Sequence, residues 1–307
     1  MERQVDVVVI GTGVAGLAAA RQCARAGASC AMIESVCYGG LVLNVNALEG
    51  SIGGCGADVA AVLLTQATDA GAENVSAEVT GLRPDGDGWR VATDSGDWIA
   101  RAVVVASGAR FRELGVAGEH EFAGRGVSHC AECDGPLFAG QDVVVVGGGD
   151  SATQEAIVLA GFARTVHLVH RHDAPHARPA LRERLAALGN LVVHPRSEVA
   201  AILGEDAVRG VRLAPGDRGP SGEIACTGLF PYVGLVPACE FVPAAVERDA
   251  TGRLVVDAAS MATCRPGLFA AGAVRSGNDG TLAGAASDGD VAGRSAAAHL
   301  GAARRSD

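Results

Sequence analysis

Val7-Val8-Val9-Ile10-Gly11-Thr12-Gly13-Val14-Ala15-Gly16 is an apolar, strand-like run entering a glycine turn. The chain writes the same phrase again as Val143-Val144-Val145-Val146-Gly147-Gly148-Gly149-Asp150-Ser151-Ala152. Each copy has the spacing of a dinucleotide-binding turn. The first glycine bends the chain, the second leaves room for a pyrophosphate, and the third position, Gly16 or Ala152, lets the next helix pack closely on the strand. That helix then faces the phosphates with its free N–H groups and the positive end of its dipole. The flanking pattern agrees: a helix is predicted from Val14 to about Ala26 and a strand from Ser29 to Glu34. The second copy predicts a helix from about Ser151 to Gly161 and a strand from Thr165 to His170.

The end of that second strand separates the two copies. Glu34 stands 23 positions after Gly11, where a carboxylate accepts hydrogen bonds from a ribose diol. The same count from Gly147 reaches His170, followed by Arg171, His172, His176 and Arg178. A carboxylate there would repel a 2′-phosphate, whereas Arg171 pairs with one, so the second site favours NADP(H) over NAD(H). The other reading of Arg171, His172 and Arg178 is a solvated loop. Between the copies lies His129-Cys130-Ala131-Glu132-Cys133-Asp134, two thiols at the spacing of a dithiol that closes and reopens. The order points to electrons passing from one nucleotide to another and then to sulfur. A helix start lowers the first thiol's pKa, while Glu132 pushes the other way. The bland alternative is a pair of packed residues on a turn.

At 307 residues with 49% hydrophobic residues and 43 glycines, the chain suits two glycine-punctuated α/β domains. A net charge of −10 argues against nucleic acid or an anionic membrane as partner. No apolar stretch is long enough to cross a bilayer, and the chain runs from Glu2, Arg3 and Asp6 directly into a strand, so the cytoplasm is the expected location. The cysteines outside the Cys-x-x-Cys show no paired spacing and read as reduced. All 25 basic residues are arginine, which removes P-loop and pyridoxal chemistry, since both need a lysine. No second Cys or His pair matches a zinc site, so no metal is expected, and His129 precedes the motif, so covalent haem fails.

These landmarks together resemble the bacterial low-molecular-weight thioredoxin reductases, FAD-dependent pyridine-nucleotide disulfide oxidoreductases. Besides the turns and Cys-Ala-Glu-Cys-Asp-Gly, the resemblance rests on Gly39-Gly40, Val103-Val104-Val105-Ala106-Ser107-Gly108-Ala109, Tyr232-Val233-Gly234-Leu235-Val236-Pro237 and Pro266-Gly267-Leu268-Phe269-Ala270-Ala271-Gly272. It implies two three-layer Rossmann-like domains, the second inserted in the first: residues 1–114 with 239–307 for FAD, and 115–238 for NADPH and the dithiol. Gly11, Gly13, Ala15, Gly16, Glu34, Gly40, Gly108, Gly272 and Ala273 would hold FAD. Gly147, Gly149, Asp150, Ser151, His170, Arg171 and Arg178 would hold NADPH. By the same resemblance Cys133 faces the flavin, Cys130 attacks the external disulfide, and Asp134 moves the proton. A thioredoxin-like protein or a small disulfide is the implied substrate, and a homodimer the implied assembly, with the Ala-rich tail from Val291 to Ala303 as an interface helix.

The chain departs from that family in places. Ala273 replaces an Asp that bonds the flavin's ribityl chain, a loss that loosens FAD or leaves a neighbour such as Asp279 to substitute, and Gly280-Thr281-Leu282-Ala283-Gly284 replaces an Arg-Gln-Ala stretch. Leu41 follows Gly-Gly where Gln is usual, and Asn44-Val45-Asn46 is a pattern of its own. The arginine cluster is thinned to Arg171 with His172 and His176, which makes the coenzyme affinity sensitive to pH. Two alternatives therefore stay open: a dithiol oxidase or ferredoxin-linked relative that uses NADPH poorly, and a non-catalytic nucleotide-sensing scaffold. Elsewhere, Trp89 and Trp98 are expected to pack a small β-meander, and Ala180, Leu181, Leu185 and Leu188 to form the buried stripe of a helix whose Arg178–Arg184 face is solvated.

Overall fold

The computed structural model describes residues 2–45, 48, 54–214 and 222–303. Two compact units emerge, Met1–Arg110 with Val236–Asp307, and Phe111–Leu235. Both are α/β and built on a parallel sheet.

In the first unit β1 (Arg3–Ile10), α1 (Val14–Arg25) and β2 (Cys30–Glu34) form a βαβ motif. Helix α2 (Gly56–Asp69) leads to β3 (Glu73–Ser76), and an antiparallel meander of β4 (Val79–Asp85) and β5 (Gly88–Thr93) returns the chain to β6 (Trp98–Val105). The strand order is β3-β2-β1-β6-β5-β4. Strand β1 runs parallel to both β2 and β6, and Val7 to Ile10 are buried. A strand covered on both faces needs no polar alternation, so it reads as an unbroken apolar run. Trp89 and Trp98 are buried on the meander as expected, Trp89 opposite Ala100 and Trp98 opposite Val91.

The chain crosses between units at β7 (Ala109–Phe111). The second unit opens with the single helical turn α3 (Ala131–Asp134) and continues through β8 (Asp142–Val146), α4 (Asp150–Ala160), β9 (Thr165–His170), α5 (Pro179–Ala186) and β10 (Leu191–Pro195). An antiparallel sheet of β11 (Val199–Gly204), β12 (Val208–Leu213) and β13 (Gly222–Ala225) precedes β14 (Gly228–Pro231), which completes the parallel sheet β10-β9-β8-β14. On α5, Leu181 and Leu185 are buried, Leu188 beyond its end is half-buried, and Ala180 is exposed. The stripe is narrower than the sequence suggests because Ala180 lies about 100° around the helix from Leu181.

The chain returns to the first unit through β15 (Leu235–Pro237). Strand β16 (Leu268–Ala270) then adds to β6 in parallel, and α6 (Leu282–Ala303) closes the first unit. Helix α6 starts nine residues before Val291. Thr281 launches it, its Oγ1 accepting the Gly284 N–H at 2.9 Å, a side-chain cap that three early glycines hide from a propensity reading. Those glycines have a packing purpose. A Cβ on Gly289 would sit 2.1 Å from the Ala15 carbonyl oxygen and one on Gly293 2.4 Å from that of Ala19, so α6 lies directly against α1.

Candidate active site

The first turn is a cradle that side chains would fill. Gly11 has φ +97° and a Cβ there would lie 2.5 Å from the Ala106 carbonyl oxygen, while one on Gly16 would lie 1.9 Å from the Gly11 carbonyl oxygen. Both positions are therefore closed to other residues. Around this turn the fold gathers most of the residues that the sequence nominates for the first nucleotide. Gly13 bridges Gly39, Gly40 lies against Gly13, and Gly272 lies against Ala15. Ser107, next to Gly108, lines a cavity of about 560 Å³ with Gly11, Ile33, Glu34 and Thr80. Its hydroxyl donates to the Ala238 carbonyl at 2.5 Å. The Glu34 carboxylate is held by backbone N–H groups, from Thr12 at 3.1 Å and Ser35 at 3.0 Å, which aims it at that cavity. Leu41 and Asn44 lie in the short 3-10 turn Gly40–Asn44, whereas Asn46 lies outside the described residues.

Ala273 is half-buried in the short 3-10 turn Gly272–Val274, beside the cradle. The carboxylate nearest to it in the hydrogen-bond network is Asp288 of α6, not Asp279. Asp288 accepts the Gly272 N–H at 3.2 Å, binds Arg275 through Nε at 2.7 Å and Nη2 at 2.5 Å, and takes a fourth bond from Asn278 at 3.1 Å. Asp279 is engaged locally: the Thr281 N–H and hydroxyl hold it, and those bonds lower its pKa.

The second turn repeats the geometry. Gly147 has φ +137° and a Cβ there would lie 2.3 Å from the Tyr232 carbonyl oxygen. A cavity of about 670 Å³ is lined by Gly147, Gly149, Ser151, His170, Arg171 and His172 among others. The loop after β9 folds back over the turn, with the His176 N–H donating to the Gly148 carbonyl at 2.8 Å. Asp150 anchors that loop, accepting the Arg178 N–H at 2.7 Å and pairing with its Nε at 2.5 Å. Arg171 is exposed at the cavity rim. His170 is buried, and neither ring nitrogen has a protein partner among the described residues. Burial first, then His172 and His176, lowers its pKa, so at neutral pH it is an uncharged ring with an unused donor and acceptor.

Cys130 and Cys133 form a disulfide at the start of α3, with Cys130 as the N-cap. Cys130 Sγ accepts the Cys133 N–H at 3.1 Å, and the Cys130 N–H donates to Ser128 Oγ at 3.1 Å. Cys133 is exposed, and Asp134 follows it, half-buried, at the end of the same turn. His129, just before the pair, stacks on Phe111 at 4.9 Å, and burial lowers its pKa. Beneath the turn lies a residue that sequence reasoning missed. Glu155 of α4 accepts the Ala131 N–H at 3.2 Å and the Tyr232 hydroxyl at 3.3 Å. Burial first, opposed by the Ala131 hydrogen bond and reinforced by Glu132, pushes its pKa up to about 7. Its signal was present, since Glu155 sits on the same helix face as the buried Ala152, Ala156 and Leu159.

The residues thus supply two glycine-turn cradles and a disulfide in one chain. A pyridine nucleotide-disulphide oxidoreductase family model matches residues 5–296. The thioredoxin reductase of Treponema pallidum is 38% identical over 304 residues, 98% of each chain, and that of Streptomyces clavuligerus 39% identical over 276 residues, 88% of this chain and 85% of the relative. The crystal structure of Lactococcus lactis thioredoxin reductase superposes with a TM-score of 0.91 at 32% identity, covering 97% of this chain and 99% of that one. Two Rossmann-like units, the disulfide and this breadth of likeness lead to one assignment: the chain belongs to the pyridine nucleotide-disulphide oxidoreductase family, in its thioredoxin reductase branch.

Proposed function

We propose that this protein is an FAD-dependent reductase that uses NADPH to open the Cys130–Cys133 disulfide and passes the electrons to a thioredoxin-like protein or a small disulfide. The observation that carries the reading is the dithiol itself, formed as a disulfide at a helix start, in the same unit as the second glycine turn. The first cradle fits FAD, with Gly11, Gly13 and Gly16 for the pyrophosphate and Glu34 for the ribose; Ala15, Gly40, Gly108, Gly272 and Ala273 complete its wall. The second fits NADPH, with Gly147, Gly149 and Ser151 at the phosphates and Arg171 for the 2′-phosphate. FAD held in the first cradle would supply two-electron chemistry, accepting hydride from a pyridine nucleotide and reducing sulfur.

The chain's own residues do the rest. Cys130 and Cys133 cycle between disulfide and dithiol, and Cys130 as the thiolate attacks the substrate disulfide. Asp134 carries the proton that accompanies each thiol–thiolate change. Asp150 holds Arg178 and so keeps the 171–178 loop over the glycine turn, with His170 offering a hydrogen bond into the cavity. A twofold homodimer working in the cytoplasm completes the proposal.

Purified protein should be yellow, bleach with NADPH in the absence of oxygen, and drive DTNB reduction that thioredoxin increases. Cys133→Ser should abolish disulfide turnover while leaving flavin bound. A colourless protein that takes up no FAD refutes the proposal, and a flavin that neither NADPH nor NADH reduces moves the electron source to ferredoxin or makes oxygen the acceptor.

A further inference from the structure

The short helix that carries the dithiol has two acceptors for its otherwise unpaired N–H groups. One is Cys130 Sγ, which takes the Cys133 N–H, and the other is the Glu155 carboxylate, which takes the Ala131 N–H at 3.2 Å. Ala131 lies between the two cysteines and is fully buried, so this bond fixes the turn from its protected side. The second bond to Glu155 comes from Tyr232, whose ring meets Phe111 edge-on at 5.8 Å, and Phe111 in turn stacks on His129. The charged and titratable groups around the carboxyl are Glu132 on α3, Tyr232 after β14, and Asp134, which acts through Tyr232. Glu132 discourages a negative charge on Glu155, whereas the Tyr232 hydrogen bond favours it. Burial pushes the Tyr232 hydroxyl well above its usual range, so it stays a donor at any working pH.

We infer that Glu155 is a positioning residue that couples a proton to the redox state of the Cys130–Cys133 pair through the Ala131 N–H. This rests on the reductase reading above only in taking the disulfide to be redox-active. Reduction by two electrons, from reduced flavin or from an added dithiol, breaks the Sγ–Sγ bond. One proton makes a thiol of one sulfur while the other remains a thiolate, and a second proton neutralises Glu155. The net charge at the turn is then unchanged, because a new thiolate replaces the carboxylate. On reoxidation by an external disulfide, the thiol proton and the Glu155 proton leave with the two product thiols. A carboxyl poised near neutrality suits that exchange, since it is half ionised where the pair must work. An anionic Glu155 takes the Ala131 N–H of the same turn whose Cys133 N–H bonds Cys130 Sγ, and its charge opposes a thiolate there, an opposition that protonation removes.

The test uses the flavin-loaded protein reduced with dithiothreitol and freed of reductant. Alkylation of Cys130 by iodoacetamide is followed by mass spectrometry from pH 5.5 to 9, in the wild type, Glu155→Gln and Glu155→Ala. Glu155→Gln keeps an oxygen for the Ala131 N–H but cannot ionise. The thiolate midpoint should fall by half a unit or more, raising alkylation at pH 7 roughly three- to tenfold. The midpoint of Cys130/Cys133 reduction, poised against glutathione, should also lose up to one proton of pH dependence near pH 7. That is a tenfold change in equilibrium constant per pH unit, or about 30 mV. A purely structural Glu155 would leave both profiles of Glu155→Gln on those of the wild type, with only Glu155→Ala disturbed, and that result overturns the inference. A disulfide that dithiothreitol cannot open in the wild type would instead refute the reductase reading.

Discussion

Removing the Asp288 carboxylate should be the most destabilising single change near the first cradle. Asp288 is 3% exposed and pairs with Arg275, whose side chain is 12% exposed, through two hydrogen bonds. Asp288→Ala leaves a guanidinium in the interior without its counter-charge, a class of change that costs about 3–5 kcal/mol. It also strips acceptors from Gly272 N–H and Asn278. For a unit of this size each kcal/mol moves the melting temperature by about 2–4 °C, so a drop of roughly 6–20 °C is expected in thermal unfolding followed by circular dichroism. Because Gly272 packs on Ala15 at the start of α1, flavin content should fall in parallel. The double change Arg275→Met with Asp288→Leu should recover at least half of the lost stability, since it removes both charges together. A single-variant loss under about 1 kcal/mol would place this pair with exposed ion pairs and refute the reasoning.

Gly11→Ala combines a left-handed φ with a 2.5 Å contact to the Ala106 carbonyl oxygen, so it should lose about 2–4 kcal/mol and most of its flavin, read from the ratio of absorbance at 450 and 280 nm. Unchanged flavin content would show that the turn relaxes without harm. Arg171→Ala should raise KM for NADPH about ten- to a hundredfold and leave KM for NADH nearly unchanged, the worth of one or two charge-assisted hydrogen bonds to a 2′-phosphate. Equal effects on both coenzymes would make Arg171 a general phosphate contact. The raised pKa of Glu155, from 4.5 to about 7, has a definite sign: the folded state binds this proton more tightly than the unfolded chain. Its contribution to stability is therefore fully present below pH 4.5 and is lost as pH rises to about 7. Glu155→Gln should flatten that part of the stability-versus-pH curve in urea melts, and parallel curves for the two proteins would contradict it.

Much of the architecture was legible because its signals are local. A glycine turn is fixed by φ at Gly11 and Gly147 and by the close approach of the next helix, and each requirement acts within a few residues of chain. The buried runs Val7 to Ile10 and Val143 to Val146 gave the parallel sheets directly. Strand β9 ends at His170 as read, because β9 carries a branched apolar pattern up to the loop. The start of α6 was misplaced because glycines that lower helix propensity are required by contact with α1, a partner more than 260 residues away. Tertiary packing outweighed local preference there. The helix face that carries Glu155 was readable, but the bonds it makes were not. Its partners Ala131 and Tyr232 are 24 and 77 positions distant, and only the fold makes them neighbours.

Ala273 shows how far a lost side chain can be judged from sequence. The resemblance to the thioredoxin reductases implies that a carboxylate is missing beside the first cradle, and the eye turns to the next acid, Asp279. That residue is committed to Thr281 at the start of α6 and has its own local duty. What holds the backbone beside Ala273 is the Gly272 N–H on Asp288, 16 positions away, backed by Arg275 and Asn278. The shape of the cradle therefore does not depend on residue 273, because its backbone is fixed from behind by α6. What depends on residue 273 is the single hydrogen bond an acid would give a ligand, worth about 1.5–3 kcal/mol with a charged acceptor. Ala273→Asp should accordingly tighten FAD binding by tenfold or more without moving the melting temperature of the flavin-free protein. A shift in that melting temperature instead would mean that position 273 does shape the fold, and the separation of backbone support from ligand contact would fail.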